Sequence, residues 1–148
     1  MLPVWSRAEY GRRLPAQERG EMVQAVAWIG DTPAGRGMVL FPNHGEYSVS
    51  AAREHCAEVR DVFVSKAYRR RGVARKIMAA LETAGRDAAL GRIGLAVGTD
   101  DAAAPARALY ETLGYRFAHG PFINGARLDG ADGPIPVAAV LTYLVRDL

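Results

Sequence analysis

Apolar and polar positions recur along the first half of this chain with the period of strands. Met22 to Ile29 is an apolar run that predicts a strand, and Gly37 to Phe41 predicts a second strand. The segment between them, Asp31 to Gly35, combines Asp, Thr, Pro and Gly, which is typical of a turn. The pattern therefore predicts an antiparallel β-hairpin.

A strand, a helix and another strand are predicted in the middle of the chain. Glu58 to Val64 is rich in β-branched and aromatic residues. From Val73 the apolar residues recur at helical spacing to about Ala89, and Gly91 is expected to mark the end of the helix. Arg92 to Val97 predicts the next strand. A helix that joins two strands is typical of a parallel pair.

The chain ends are less regular. Arg7 to Leu14 predicts a short helix that stops near Pro15, and the segment from Tyr47 to Cys56 is interpreted as a loop.

A second main helix begins near Pro105 and ends at Gly114. The remaining predictions are a strand, a loop or loose hairpin, and a closing strand, over Tyr115–Ile123, Asn124–Pro136 and Val137–Val145. This order predicts an α/β fold with a mixed sheet of six or seven strands and helices on both faces.

Composition narrows the class of protein. The 148 residues fit one domain, and much of the formal charge of +3 lies between Lys66 and Lys76. That clustering favours an anionic ligand at one site over a nucleic-acid surface. Cys56 is the only cysteine, so we expect no intrachain disulfide and a cytoplasmic location. No membrane-spanning run, signal peptide or metal-ligand spacing is predicted.

The chemistry is concentrated in the loop between the central strand and its helix. Arg69, Arg70, Arg71 and Gly72 stand there, and the first N–H groups of the helix have no acceptor inside it. Together with the helix dipole these N–H groups attract an anion such as a phosphate. Gly72 allows a ligand to approach the backbone closely. The alternatives for the arginines are a solvated face or a nucleic-acid patch, the latter with a steep salt dependence.

Two motifs carry a family resemblance. Arg69-x-x-Gly72-x-Ala74 resembles the Gln/Arg-x-x-Gly-x-Gly/Ala signature of the GNAT superfamily of N-acetyltransferases. Ala106-x-x-Leu109-Tyr110-Glu111-x-x-Gly114-Tyr115 resembles the family's second block. The resemblance covers roughly residues 22 to 117. It implies one acetyltransferase domain over residues 1–148, with a shortened N-terminal part and a sheet whose parallel pair splays apart.

The resemblance also implies a co-substrate, acetyl-coenzyme A. Its pyrophosphate is expected on the arginine loop, and its pantetheine arm along the edge of the central strand. The implied contacts are Val62, Phe63, Val64, Arg69, Arg70, Arg71, Gly72, Val73, Ala74 and Arg75. Many members of the family carry an asparagine where this chain has Ala103. Asp101 either replaces the contact that this asparagine makes in the family or caps the following helix, and we favour the cap.

Proton-transfer residues follow from the same resemblance. The family's catalytic glutamate falls on Glu58, and its tyrosine near the cofactor sulfur falls on Tyr110. Strand alternation places Glu58 on one face with Arg60, Val62 and Val64, and Asp61, a weaker candidate, on the other. The alternative is a structural role, in which Glu58 forms an ion pair with Arg60 or Arg53. His119 and water are the alternative bases.

The predicted reaction is transfer of an acetyl group from acetyl-coenzyme A to a primary amine, by direct attack with assistance from a general base. The acceptor is expected to be a small molecule or a peptide, with no nucleic-acid or membrane partner, and the protein a monomer or a homodimer. The alternative is a coenzyme A-binding protein without transferase activity.

Overall fold

The computed structural model describes residues 7–130 and 133–148. The strands of this part of the chain are β1 Met22–Ile29, β2 Thr32–Leu40, β3 Ala57–Val64, β4 Arg92–Gly98, β5 Arg116–Gly130 and β6 Gly133–Asp147. The α-helices are α1 Arg7–Glu18, α2 Val49–Glu54, α3 Val73–Asp87 and α4 Ala104–Thr112. Short 3-10 helices span Lys66–Tyr68 and Asp101–Ala103. Among the described helices, none has the length and apolar character that a membrane span requires.

The six strands form one mixed sheet in the order β1-β2-β3-β4-β6-β5. The pairs β1–β2, β2–β3 and β5–β6 are antiparallel, and β3–β4 is parallel. This arrangement confirms the predicted mixed α/β sheet with a parallel pair. The parallel ladder lies at Ala57↔Ile93 and Glu58↔Gly94, so only the start of the predicted strand Glu58–Val64 takes part in it.

The chain divides into two compact units. The first contains the described residues up to Gly94 together with Asp147 and Leu148, and the second runs from Leu95 to Arg146. The single domain over residues 1–148 stays a prediction.

Helix α3 packs on the hairpin and on β3 in the first unit. Its buried apolar side chains are Val73, Ile77, Met78 and Leu81. Gly35 of β2 makes this close approach possible, because a Cβ there would lie 2.8 Å from Phe63 O and 3.0 Å from Ile77 Cδ1. A second cluster of Met22, Met38 and Leu40 is covered by Tyr10 and Ala16 of α1 and by Tyr47.

A bulge in β3 changes which side chains share a face. A Cβ added at Gly85 of α3 would lie 3.7 Å from Ala57 Cβ. A Cβ added at Gly37 of β2 would lie 3.3 Å from Val62 Cγ2, and it would also meet Ile77 of α3. Both side chains therefore point towards α3, although the alternation from Ala57 would turn Val62 away. The β2–β3 register shifts between these residues, where Asp61 has a φ of 55°.

The prediction that Glu58, Arg60, Val62 and Val64 share one face is therefore wrong. Glu58 and Arg60 pair with Leu40 and Met38 on the face opposite α3. Val64 pairs with Gly35, whose missing Cβ points to α3. The extra residue at the bulge reverses the alternation, so Val62 and Val64 fall on the face of α3.

Several boundaries in the first unit differ from the prediction. Helix α1 continues through Pro15 to Glu18, and Arg19 N–H donates to Pro15 O at 3.1 Å, so the missing proline N–H does not stop the next turn. Strand β2 begins at Thr32, because the tight turn uses Gly30, with a φ of 59°, and the next residue. At the end of α3, Ala89 rather than Gly91 adopts the left-handed conformation, with a φ of 61°.

The segment interpreted as a loop between Tyr47 and Cys56 contains a helix, α2. Ser48 caps it, since its Oγ accepts a hydrogen bond from Ala51 N at 3.0 Å. His55 ends the helix in the left-handed conformation, with a φ of 53°.

In the second unit, α4 begins and ends close to the predicted residues, with Pro105 in its first turn. Strands β5 and β6 are longer than predicted, because their pairing continues to Gly130↔Gly133. The segment Asn124–Pro136, interpreted as a loop or loose hairpin, belongs to this hairpin except for residues 131 and 132, which lie outside the described residues.

Candidate active site

The arginine loop ends at Gly72, which is the N-cap of α3. Gly72 has a φ of 79° and a ψ of 9°, and a Cβ at this position would meet no atom within 4 Å. Lys76 N–H makes a helical bond to Gly72 O at 3.2 Å, so the N–H groups of Val73, Ala74 and Arg75 precede the first full turn. An open backbone with such donors fits a phosphate or pyrophosphate group.

Positive charge surrounds this helix start. The side chains of Arg69, Arg70, Arg71 and Arg75 are all exposed. Arg71 lies over the ring of Tyr68, 5.6 Å from its centroid. These guanidinium groups can pair with an anion at the backbone of Gly72.

Arg69 also connects the loop to the end of β3. Its Nε donates to Val64 O at 3.0 Å, and its guanidinium lies 5.7 Å from the centre of the Phe63 ring. Arg36 of β2 contacts the same ring at 5.2 Å. Two of the residues predicted to contact the cofactor thus have partners within the protein. The backbone carbonyl of Val64 accepts a hydrogen bond from Arg69, and the ring of Phe63 makes cation–π contacts with two arginines.

The edge of β3 distal to β2 carries the predicted pantetheine contacts. Ser65 N–H donates to Ala34 O of β2 at 2.9 Å. Because backbone groups of successive strand residues point to opposite edges, those of Phe63 also point to β2, and those of Val62 and Val64 point away from it. Both valines lie beyond the β3–β4 ladder, which reaches only to Glu58 among the residues of β3.

Glu58 is a buried carboxylate, only 3% exposed. Its Oε1 accepts from Arg60 Nε at 3.0 Å and Nη2 at 2.8 Å, and from Ser48 N–H at 3.3 Å. Its Oε2 accepts from the hydroxyl of Ser48. Arg60 Nη2 also donates to Glu46 O at 2.8 Å. The pairing with Arg60 that the sequence left open is therefore present.

Tyr47 fixes the segment before α2 to the start of β3. Its hydroxyl donates to Cys56 O at 2.5 Å. Burial, with smaller contributions from the nearby Cys56 and Glu58, raises the pKa of Tyr47 to about 12. The phenol is thus a hydrogen-bond donor throughout the physiological range.

Asp61 occupies the bulge with its side chain partly exposed and lies 3.6 Å from Arg13 Nη2 of α1. Its carboxylate is therefore engaged by an arginine of α1, and its place as a weaker candidate for the base stays a prediction.

The second unit contains Tyr110 and His119. The Tyr110 ring packs edge-on against Tyr115 with centroids 5.9 Å apart, and burial raises the pKa of its phenol. His119 is buried and stacks on Tyr143 with centroids 5.1 Å apart and planes at 9°. A buried, stacked histidine is typical of a packed core, which makes His119 a less accessible base.

The loop after β4 differs from the favoured interpretation of Asp101. The capping residue is Asp100, whose Oδ1 accepts from Ala103 N at 3.1 Å, while Asp101 lies in the 3-10 turn itself. A cap must precede the first helical N–H groups, which places it one residue earlier than predicted.

Sequence reasoning missed two residues that organise these parts of the chain. Arg107 Nη1 donates to Gly98 O at 2.6 Å and to Asp100 O at 2.7 Å, and so holds the loop before α4. Ser48 contacts Glu58 through both its hydroxyl and its N–H. The only signal for Ser48 was its place before a run that can form a helix. Nothing in the sequence around Arg107 indicated that its side chain donates to two backbone carbonyls.

A match to a family model shows which protein family this chain belongs to. Residues 1–115 match the family model described as the acetyltransferase (GNAT) family. The chain belongs to this family. Membership confirms the predicted family and the enzyme class, N-acetyltransferase. Among proteins of curated function, none matches the sequence.

Solved structures show that GNAT proteins share this fold. The ribosomal-protein-alanine N-acetyltransferase of Brucella melitensis superposes with a TM-score of 0.68 and 16% identity, covering 98% of this chain and 80% of that one. An acetyltransferase of Bacillus subtilis in complex with CoA gives 0.61 and 14%, covering 97% and 84%. A GNAT family acetyltransferase of Elizabethkingia anophelis with acetyl-CoA bound gives 0.62 and 11%, covering 97% and 84%. The two bound ligands are consistent with acetyl-CoA as the predicted co-substrate.

Proposed function

We propose that this GNAT protein transfers the acetyl group of acetyl-CoA to a primary amine of a small molecule or a peptide. The observation that carries the proposal is Gly72, which opens α3 with a left-handed backbone, no neighbouring atom where a Cβ would stand, and arginines on its approach. An open helix start of this kind suits a pyrophosphate group.

The donor would be held by three kinds of group. The N–H groups at the start of α3 and the side chains of Arg69, Arg70, Arg71 and Arg75 take the phosphates, and the backbone of Val62 and Val64 takes the pantetheine arm. Acetyl-CoA supplies an activated acyl group with a thiol as the leaving group. Binding both substrates on fixed backbone accounts for much of the expected rate gain.

Proton transfer is assigned to Glu58 and Tyr110. An ammonium group must lose a proton before its nitrogen can attack, and Glu58 accepts that proton directly or through water. Tyr110 returns a proton to the departing thiolate. Its raised pKa supports this role, because a phenol that stays protonated can act as an acid.

One observation favours the alternative of a coenzyme A-binding protein without transferase activity. Arg60 and Ser48 both donate to Glu58, so both oxygens of its carboxylate are already hydrogen-bonded within the protein. Ala103 in place of the family's asparagine points the same way. In this alternative the carboxylate is structural, and the protein binds the cofactor without turning it over.

A thermal shift with acetyl-CoA and an assay of thiol release separate these functions. Acetyl-CoA should raise the melting temperature, and ATP at the same concentration serves as a control for unspecific anion binding. Thiol release with spermidine, tyramine or an alanine-terminated peptide then identifies a transferase. A shift with no thiol release supports the alternative. Absence of any shift, together with salt-sensitive binding of nucleic acid, would reject both.

A further inference from the structure

The two oxygens of Glu58 have different surroundings. Oε1 accepts from Arg60 Nε and Nη2 and from the N–H of Ser48, while Oε2 accepts from the hydroxyl of Ser48. Arg60 continues from Oε1 to Glu46 O, so its guanidinium covers that side of the carboxylate. Ser48 thus contacts both oxygens, and its hydroxyl donates to Oε2.

Glu58 is almost inaccessible to a substrate, whereas Ser48 is not. The glutamate is 3% exposed, and Ser48 is partly exposed. A serine hydroxyl has one donor and two acceptor lone pairs. Ser48 uses its donor on Glu58 Oε2 and one lone pair on Ala51 N–H, which leaves the second lone pair for an incoming donor.

We propose that Ser48 relays the proton of the acceptor amine to Glu58. The inference deepens the proposed acetyl transfer and rests on it. The ammonium group of the acceptor hydrogen-bonds to the remaining lone pair of Ser48 Oγ. Ser48 takes that proton as its own hydroxyl proton passes to Glu58 Oε2, so one N–H bond breaks, one O–H bond forms on each oxygen, and the Oγ–H bond of the resting state breaks.

The remaining steps balance. The neutral amine forms the bond to the acetyl carbon, and the bond from that carbon to sulfur breaks. The thiolate leaves with the electron pair and takes the phenolic proton of Tyr110, and the second proton that the nitrogen loses restores the phenol. Glu58 then releases its proton to solvent by the reverse path through Ser48. The sum is an ammonium group and acetyl-CoA giving an amide, coenzyme A and one proton.

Ser48 also caps α2, so a test must separate relay from capping. Asn caps helices as well as Ser does but has no hydroxyl, and Thr keeps both the hydroxyl and the cap. The variants are therefore Ser48→Ala, Ser48→Asn and Ser48→Thr. Ser50→Ala changes a serine of the same helix that has no role in the proposal, and it serves as the matched control.

The experiment measures kcat and KM for acetyl-CoA by thiol release from the full chain. The acceptor is the amine with the fastest turnover among spermidine, tyramine and an alanine-terminated peptide. We expect kcat to fall about a hundredfold in Ser48→Ala and Ser48→Asn, with KM for acetyl-CoA unchanged. Ser48→Thr should restore most of the turnover, and Ser50→Ala should match the wild type. The loss should shrink at alkaline pH, where free amine is plentiful.

A double variant identifies the route. If Ser48 acts through Glu58, Ser48→Asn combined with Glu58→Gln is no slower than Glu58→Gln alone, whereas independent roles would multiply the two losses. Wild-type turnover in Ser48→Asn, or multiplied losses, would overturn the relay and leave the transferase standing. A wild-type protein that releases no thiol with any of the three amines would reject the transferase and the relay together.

Discussion

The side chains of Ala57 and Val62 point to the same face of strand β3, although they lie five residues apart and regular alternation would place them on opposite faces. The bulge at Asp61, with a φ of 55°, produces this relationship. Glu58 consequently faces away from α3 and meets α2, while Val62 and Val64 pack towards α3. Glu58 therefore shares no face with the valines, and the contacts that bear on its role as a base are those with Ser48 and Arg60.

Replacing Glu58 by Gln should lower turnover by about a hundredfold or more near neutral pH, because the amide keeps the shape of the side chain but cannot accept the proton. Affinity for acetyl-CoA should not change, which calorimetry can measure. The loss should shrink as the pH rises and more of the amine is free. Full activity at neutral pH would make Glu58 structural and leave His119 or water as the base.

Replacing Tyr110 by Phe should lower turnover more modestly than the change at Glu58, because the ring still packs on Tyr115 while the phenolic proton is lost. Since burial raises the pKa of Tyr110, the phenol should keep its proton beyond the usual value of about 10. Steady-state thiol release measures the effect. Tyr115→Phe is the control from the same ring pair, and equal losses of kcat in both variants would argue against an acid at Tyr110.

Replacing Gly72 by Glu should weaken acetyl-CoA binding strongly, because the side chain fills the open space beside the α3 N–H groups and adds negative charge. Gly20 is a matched control, since its φ of 73° and its open surroundings resemble those of Gly72. Gly20→Glu should carry a similar backbone strain of about 1–2 kcal/mol and leave affinity unchanged. Calorimetry with acetyl-CoA measures both variants. Equal affinity in the two would refute the assignment of this loop.

Replacing Gly35 by Ala should destabilise the first unit by about 1–3 kcal/mol, because the new Cβ would lie 2.8 Å from the backbone oxygen of Phe63. A backbone atom in a paired strand cannot move aside as a flexible side chain can. Gly45→Ala meets no atom within 4 Å and should change the unfolding free energy little. Urea unfolding of the two variants provides the comparison, and coincident midpoints would show that β2 and β3 can separate without cost.

The stability of the protein should fall between about pH 10 and about pH 12 in part because of Tyr47. Its pKa in the folded state is about 12, above the value of about 10 expected in the unfolded chain. The contribution is thus fully present below pH 10 and is lost as the pH rises through the folded value, by on the order of 1 kcal/mol after screening by solvent.

Tyr47→Phe tests this dependence. It removes the hydrogen bond to Cys56 O and should cost about 1 kcal/mol near neutral pH. Its difference from the wild type should narrow with increasing pH, because Phe does not ionise. Urea unfolding at a series of pH values measures the difference, and a constant offset would place the titration elsewhere.

Periodicity was sufficient for the regular parts of the fold. Strand β1 spans Met22–Ile29 as predicted, and Gly72 caps α3 where the motif placed it, because long apolar runs and a glycine before a helix are local signals. The strand–helix–strand order also predicted the parallel pair. These features depend on residues close together in the sequence, so the sequence alone carries the information.

The missed features depend on distant residues. Helix α2 is short, and its cap Ser48 bonds to Glu58 of another element, so tertiary contact outweighs the weak local pattern. The bulge places a non-glycine residue, Asp61, at positive φ, which no composition rule indicates. It follows from the register of β2 against β3. The error over which residues share a face with Glu58 has this single origin.

The anchoring of Asp147 and Leu148 in the first unit limits how the chain between Leu95 and Arg146 can unfold. Asp147 Oδ1 accepts from Arg92 Nε at 3.3 Å, and Leu148 N–H donates to Gly91 O at 3.0 Å. Residues 95–146 are thus a segment fixed at both of its ends within the first unit. If that segment unfolds alone, it becomes a closed loop, and it gains less chain entropy than a segment fixed at one end. Connectivity therefore discourages its partial unfolding, and cutting the Arg92–Asp147 pair should speed amide hydrogen exchange across the described part of residues 95–146 before it changes global unfolding.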